Sequence, residues 1–129
     1  MTESQPRASM STRGPVLIVG TGLLGTSLAL ALRAADVEVQ LSDTSPTSLA
    51  LARDMGAGTP HDKHSPEPQI VVVATPPDVT ADVVVAQLTA HPHAVVTDVA
   101  SVKERIVAEV RARAGAQARR YVGSHPMAG

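Results

Sequence analysis

Residues 16–32 read Val-Leu-Ile-Val-Gly-Thr-Gly-Leu-Leu-Gly-Thr-Ser-Leu-Ala-Leu-Ala-Leu, and the fold turns on how this stretch divides. It carries no charge and follows Arg7 and Arg13, so a membrane anchor or secretion signal is one possible reading. Its seventeen residues sit at the lower limit for crossing a bilayer. Gly20, Gly22 and Gly25, with Thr21, Thr26 and Ser27, dilute its apolar character. The better division is a strand buried on both faces, Val16 to Val19, and a helix from Leu23 to Ala35, hinged at the glycines. Leu24, Leu28 and Leu32 form an i, i+4, i+8 stripe along that helix.

The remainder of the chain repeats the alternation. Val37 to Leu41 predicts a second strand. Ser45-Pro46 has the form of a helix cap and first helical residue. Residues 58–69 (GTPHDKHSPEPQ) read as a polar loop with three prolines. Ile70 to Thr75 predicts a third strand, Val79 to Leu88 a helix, and Ala94 to Thr97 a fourth strand. A helix from Val102 to about Ala114 and a short fifth strand from Arg120 to Gly123 complete the pattern. Strands and helices in alternation imply an α/β fold: a doubly wound parallel sheet of Rossmann type, expected in the order 3-2-1-4-5 with Val16–Val19 inside it. Residues 1–13, polar and without periodicity, are expected to be a disordered leader, and residues 14–129 the folded domain.

Composition removes several classes of function. The chain has 129 residues and a net charge of −1, so no basic surplus exists to hold a nucleic-acid backbone. Phe and Trp are absent and Tyr121 is the sole aromatic, which excludes a base-stacking platform. With no cysteine there is no disulfide framework, thiolate zinc site or cysteine nucleophile. His61/His64 and His91/His93 lie in proline-bearing loops without a third ligand nearby and are read as solvated, so no metal is expected. The protein is expected to be soluble and cytoplasmic, with no membrane or nucleic-acid partner.

Gly20-Thr21-Gly22-Leu23-Leu24-Gly25 fits G-x-G-x-x-G, placed after a strand and opening a helix. Gly20 permits the tight turn, Gly22 allows a pyrophosphate to approach the backbone, and Gly25 allows helix and strand to pack closely. The helix start offers free N–H groups to the anion. Asp43 ends the second strand eighteen residues beyond Gly25, where a carboxylate accepts ribose hydroxyls; Thr44, Ser45 and Pro46 supply no cation for a 2′-phosphate. The pattern therefore points to NAD, with NADP less favoured. Asp43 as the cap of the following turn is the alternative. Thr75 and Pro76 end the third strand on the ligand side of such a sheet, either as a wall beside the ribose or nicotinamide or as a plain stop. Ser101 has the position of an N-cap with Glu104 as its capping-box partner. His125, after the fifth strand, reads either as a surface or packing histidine or, at the carboxyl end of a strand beside a nicotinamide site, as a proton acceptor.

Taken in order, GTGLLGTSLALAL, VVVATPP, VTDVASVK and YVGSHPMAG resemble the nucleotide-binding half of prephenate dehydrogenases and the related arogenate dehydrogenases, over residues 15–129. The last two motifs are the specific ones. The resemblance implies NAD-dependent oxidative decarboxylation of prephenate (or arogenate) to 4-hydroxyphenylpyruvate (or tyrosine). It also implies that His125 takes the proton of the substrate's ring hydroxyl and that Ser101 orients His125. Family members continue into a helical domain that mediates homodimer formation and supplies an arginine for the substrate carboxylate. The chain is thus expected to be an N-terminal fragment, truncated before that domain and inactive alone. Lys103 is the one cation placed near the site, a flexible ammonium ill-suited to clamping two carboxylates. Another enzyme of the β-hydroxyacid dehydrogenase-like group and a non-catalytic NAD-binding module are the rival readings.

Overall fold

The computed structural model describes residues 14–123. The expected leader at 1–13 and His125 lie outside the described residues. Six parallel strands form one sheet in the order β3-β2-β1-β4-β5-β6. They are β1 (Val16–Val19), β2 (Val39–Ser42), β3 (Thr59–Pro60), β4 (Ile70–Val73), β5 (Val95–Asp98) and β6 (Tyr121–Gly123). Between them run α1 (Leu23–Ala34), α2 (Pro46–Asp54), α3 (Pro77–Ala90) and α4 (Lys103–Ala114), then a 3₁₀ segment (Gly115–Arg120).

The pleat of β1 splits the core in two. Leu17 and Val19 face one way, with Val71, Val73 and Val96, and are covered by Val84 and Leu88 of α3 and Ile106 and Val110 of α4. Val16 and Ile18 face the other way, with Val39, Leu41 and Val72, beneath Ala29 of α1 and Ala52 of α2. A strand buried on both faces must be apolar at consecutive positions, as VLIV and IVVV are.

Two expectations are corrected. Ile70–Val73 pairs directly with β1 and does not lie outside β2; the place beside β2 belongs to Thr59–Pro60. A two-residue strand containing proline is tolerated only at an edge and leaves no hydrophobic pattern to read. With it included, the chain crosses from one side of β1 to the other between β3 and β4, creating the switch point. The leucine stripe of α1 also fails to be its main buried face. Gly25, Thr26 and Ala29 are buried, whereas Leu24 is exposed and Leu28 and Leu32 only flank the core. Small residues let the α1 axis approach β1 closely.

Candidate functional site at the sheet switch point

β1 and β4 are neighbours whose chains leave the sheet in opposite directions, and in α/β sheets ligands bind at such a reversal, outside the carboxyl ends of the strands. A cleft of about 1040 Å³ opens there. Gly20, Gly22, Leu23, Leu24, Asp43, Thr75, Pro76 and Ser101 all line it, brought together from four separate turns. Thr21 and Gly25 do not line it; both are buried within the turn.

The glycines differ in what they make possible. Gly20 has φ +107°, and a Cβ there would stand 2.5 Å from the Ala74 carbonyl oxygen, so β1 and β4 could not turn so closely past each other. A Cβ on Gly25 would collide with the Gly20 carbonyl oxygen. Around Gly22 the opposite holds: a Cβ would meet nothing within 4 Å. The fold does not need glycine at 22, but the open space over its backbone suits a ligand pressed against the main chain. Gly22 is also the N-cap of α1 and has no side chain to satisfy the first N–H groups. Intrahelical bonding begins with Thr26 N–H donating to the Gly22 carbonyl. The preceding donors are available to an anion in the cleft, where the positive end of the helix dipole adds to them.

Beside the glycine turn, Asp43 is held by its own chain. Its Oδ2 accepts from the Thr21 N–H and the Thr21 hydroxyl, both at 2.6 Å, and its Oδ1 from the Ser45 N–H at 2.8 Å. Partial burial works to raise its pKa, but the Thr21 hydroxyl and the N–H groups of Thr21, Ser45 and Thr44 outweigh it and hold Asp43 below 3.8. Asp43 does cap the turn that follows it, through the Ser45 N–H, in keeping with the alternative reading of its role; α2 itself is capped by Ser45, which accepts from the Ser48 N–H at 3.2 Å, with Pro46 opening the helix.

Pro76 and Pro77 lead into α3 and form one wall. Thr80, fully buried, donates to the Pro76 carbonyl at 3.0 Å and meets the Thr75 hydroxyl at 3.2 Å, which fixes that wall from behind. Opposite stands the loop from β5 to α4. Ser101 is exposed there and is not the cap of α4: that position is Val102, with no side-chain cap bond. The capping box with Glu104 is absent because Asp98 organises the loop instead. Asp98 Oδ2 accepts the Ala100 N–H at 2.9 Å and Lys103 Nζ at 2.7 Å, and its Oδ1 accepts the Tyr121 hydroxyl at 2.5 Å. Lys103 is therefore a buried, committed cation and not a flexible surface ammonium. Asp98 and Tyr121 had no role assigned from sequence; the only available signal was an acid ending a buried strand five residues before a lysine. Desolvation, with the hydrogen bond to Asp98, pushes the Tyr121 phenol far above 10.

Among the described residues no group of three His, Asp or Glu side chains is arranged to hold a metal, and no helix is long and apolar enough to cross a membrane. His61 and His91 pack edge to face, with ring centroids 5.5 Å apart. His91, read as solvated, is buried under the loop that precedes β4.

A parallel sheet that reverses at a glycine turn, with a helix N-terminus and a fixed carboxylate side by side at the reversal, defines the class: this is a Rossmann-type nucleotide-binding domain. A family model described as prephenate dehydrogenase, nucleotide-binding domain, matches residues 28–129, and the chain belongs to that family. It is 40% identical over 114 residues to the probable prephenate dehydrogenase NovF of Streptomyces niveus, across 88% of this chain and 31% of that protein. A prephenate dehydrogenase from A. aeolicus, solved with hydroxyphenyl propionate and NAD+, superposes with a TM-score of 0.74 at 30% identity, covering 90% of this chain and 42% of that one. A Synechocystis arogenate dehydrogenase gives a TM-score of 0.71 at 27% identity, over 89% and 41%. The chain thus spans about a third of the length of the curated relative it matches. The glycine turn at 20–25 precedes the residues matched by the family model, so its assignment rests on the geometry above.

Proposed function

We propose that this chain is the NAD-binding part of an enzyme that oxidatively decarboxylates prephenate to 4-hydroxyphenylpyruvate. The observation that carries the reading is the pairing, in one cleft, of an unobstructed Gly22 backbone with the Asp43 carboxylate fixed beside it by Thr21. The N–H groups at the start of α1 would take the pyrophosphate, and Asp43 a ribose hydroxyl. No lysine or arginine is among the described residues lining the cleft, so a 2′-phosphate would meet Asp43 without a counter-charge; this favours NAD over NADP. Thr75 and Pro76 would back the nicotinamide ribose.

NAD, when bound, supplies the acceptor for the hydride of the substrate. The chain's own part is proton handling: His125 accepts the ring-hydroxyl proton, and Ser101, exposed on the β5–α4 loop, orients it. Withdrawal of that proton assists departure of hydride from the same carbon, and loss of carbon dioxide completes the aromatic ring. The likeness to an arogenate dehydrogenase supports a second substrate, arogenate, for the same chemistry, with tyrosine as product. The reading places the enzyme in the cytoplasm, as a homodimer only in its full-length form.

The 129-residue chain alone is expected to bind NAD without turnover. Lys103 is spent on Asp98, so the described cleft offers no clamp for a dianionic substrate. Positioning is worth roughly 7–11 kcal/mol of a barrier. The test follows NADH absorbance with prephenate and with arogenate, for this chain and for a longer natural chain, each beside its His125→Asn variant. The reading expects no turnover from the former and a His125-dependent rate from the latter. A longer chain whose rate ignores His125→Asn would refute the assignment.

A further inference from the structure

Thr21 sits at the first variable position of the glycine turn yet spends its polar atoms away from the cleft. It is 5% exposed, its N–H and hydroxyl both donate to Asp43 Oδ2, and its carbonyl accepts the Thr26 hydroxyl at 3.0 Å. An ionised carboxylate offers about four acceptor positions. Thr21 takes both on Oδ2, and the Ser45 N–H takes one on Oδ1. The Thr44 N–H also approaches the carboxylate, so at most one position, on Oδ1, is left to face a ligand. The same bonds keep the carboxylate ionised and prevent its rotation about the Cβ–Cγ bond.

We propose that the Thr21 hydroxyl is a positioning residue for cofactor choice: by fixing Asp43 Oδ2 it leaves one outward acceptor for a single ribose hydroxyl and an immobile negative charge against a 2′-phosphate. The proposal rests on the reading of the cleft as a dinucleotide site. Thr21 acts through Asp43 and touches no cofactor atom. Its backbone N–H would hold Oδ2 even without the hydroxyl, so the side chain contributes a second restraint, not the whole site. Without it one acceptor position on Oδ2 is left to water, and the carboxylate, still held by the Thr21 and Ser45 N–H groups, is less firmly fixed.

Thr21→Val removes the hydroxyl at constant shape, and Thr21→Ser keeps it. Calorimetric titration of the folded chain with NAD and with NADP is the first readout. The expected result for Thr21→Val is a three- to tenfold weaker NAD affinity with little change for NADP, and recovery to within about twofold in Thr21→Ser; the loss is smaller than that of a whole hydrogen bond to a charged group, because the Thr21 N–H still holds Oδ2. The second readout needs no cofactor: NMR titration of the Asp43 carboxyl should move upward in Thr21→Val and return in Thr21→Ser. An unchanged NAD:NADP ratio, or equal losses for both cofactors, overturns the proposal, as does an Asp43 titration that does not move. Failure of the wild-type chain to bind either dinucleotide, with the Asp43 titration moving as expected, would instead overturn the reading of the cleft and this proposal with it.

Discussion

Lys103 and Asp98 form an ion pair inside the protein, Nζ to Oδ2 at 2.7 Å, with Asp98 at 0% and Lys103 at 9% exposure. The pair closes the loop that carries Ser101, and the Tyr121 hydroxyl on Asp98 Oδ1 ties that loop to β6. One buried carboxylate thus joins the ends of two neighbouring strands at the edge of the cleft.

Removing Lys103 takes a counter-charge from a fully buried carboxylate, and breaking a buried pair in this way costs about 3–5 kcal/mol. Lys103→Met is expected to lower Tm by more than about 10 °C in this small domain. Arg113→Ala, which breaks the exposed 2.6 Å pair with Asp82, should cost less than about 1 kcal/mol. Thermal unfolding of the two variants side by side checks the contrast; similar losses would mean that the Asp98 network contributes no more than a surface pair.

Arg120 is a latch of another kind. Its guanidinium donates to three carbonyls, those of Leu88 (2.8 Å), His91 (2.9 Å) and Ala94 (2.8 Å), where α3 ends and β5 is about to begin. Arg120→Ala strands these acceptors and should cost about 2–3 kcal/mol. Arg120→Lys should recover less than half, because a single ammonium cannot span a fork of acceptors. Denaturant unfolding midpoints decide it.

Acid sensitivity should originate at His61. Gln40 donates from Nε2 to the Pro66 carbonyl at 2.8 Å, which turns its Oε1 toward His61 Nδ1, also at 2.8 Å, so Nδ1 carries the ring proton. Desolvation, then the neighbouring His91, lowers the His61 pKa below 6.5, against the pull of Glu67 and Asp62. The folded state therefore resists a proton that the unfolded state accepts. Stability is fully present above pH 6.5 and declines as pH falls through the folded pKa. Asp43, depressed below 3.8, adds a second decline at lower pH in the same direction. In a series of unfolding curves from pH 8 to pH 5, His61→Gln should flatten the first decline; an unaltered slope would place its origin elsewhere.

Much of the fold was legible because burial on both faces leaves an unmistakable apolar run, as in Val16–Val19 and Ile70–Val73. β3 was not, since Thr59–Pro60 holds its edge position through only two paired residues, with register Gln40 to Thr59 and Leu41 to Pro60. Missing it displaced β4 in the expected order. The cleft residues Gly20, Gly22, Asp43 and Thr75 were legible from position alone, each ending a strand or opening a helix on one side of the sheet. Lys103 and Ser101 were misread locally. A serine three residues before a glutamate is a capping pattern only if no stronger acceptor organises the loop, and here Asp98, three residues before Ser101, does so.

Gly25 and Gly22 should separate folding from binding. Gly25→Ala drives a Cβ into the Gly20 carbonyl oxygen and should destabilise the domain severely, by several kcal/mol or to outright misfolding. Gly22→Val has open space for its side chain and an extended backbone at φ −75°, so the fold should persist while cofactor binding is lost. Circular dichroism with calorimetry distinguishes the outcomes; a folded Gly22→Val chain with unchanged NAD affinity would make the turn purely structural.

The measurement that bears most directly on the account is calorimetric titration of the wild-type chain with NAD and NADP, repeated on Asp43→Ala. The expected result is saturable binding of NAD, at least about tenfold tighter than NADP, and a variant that binds NAD more weakly with the gap between the two narrowed. Tighter binding of NADP by the wild-type chain, or an Asp43→Ala variant with the wild-type preference intact, would contradict it.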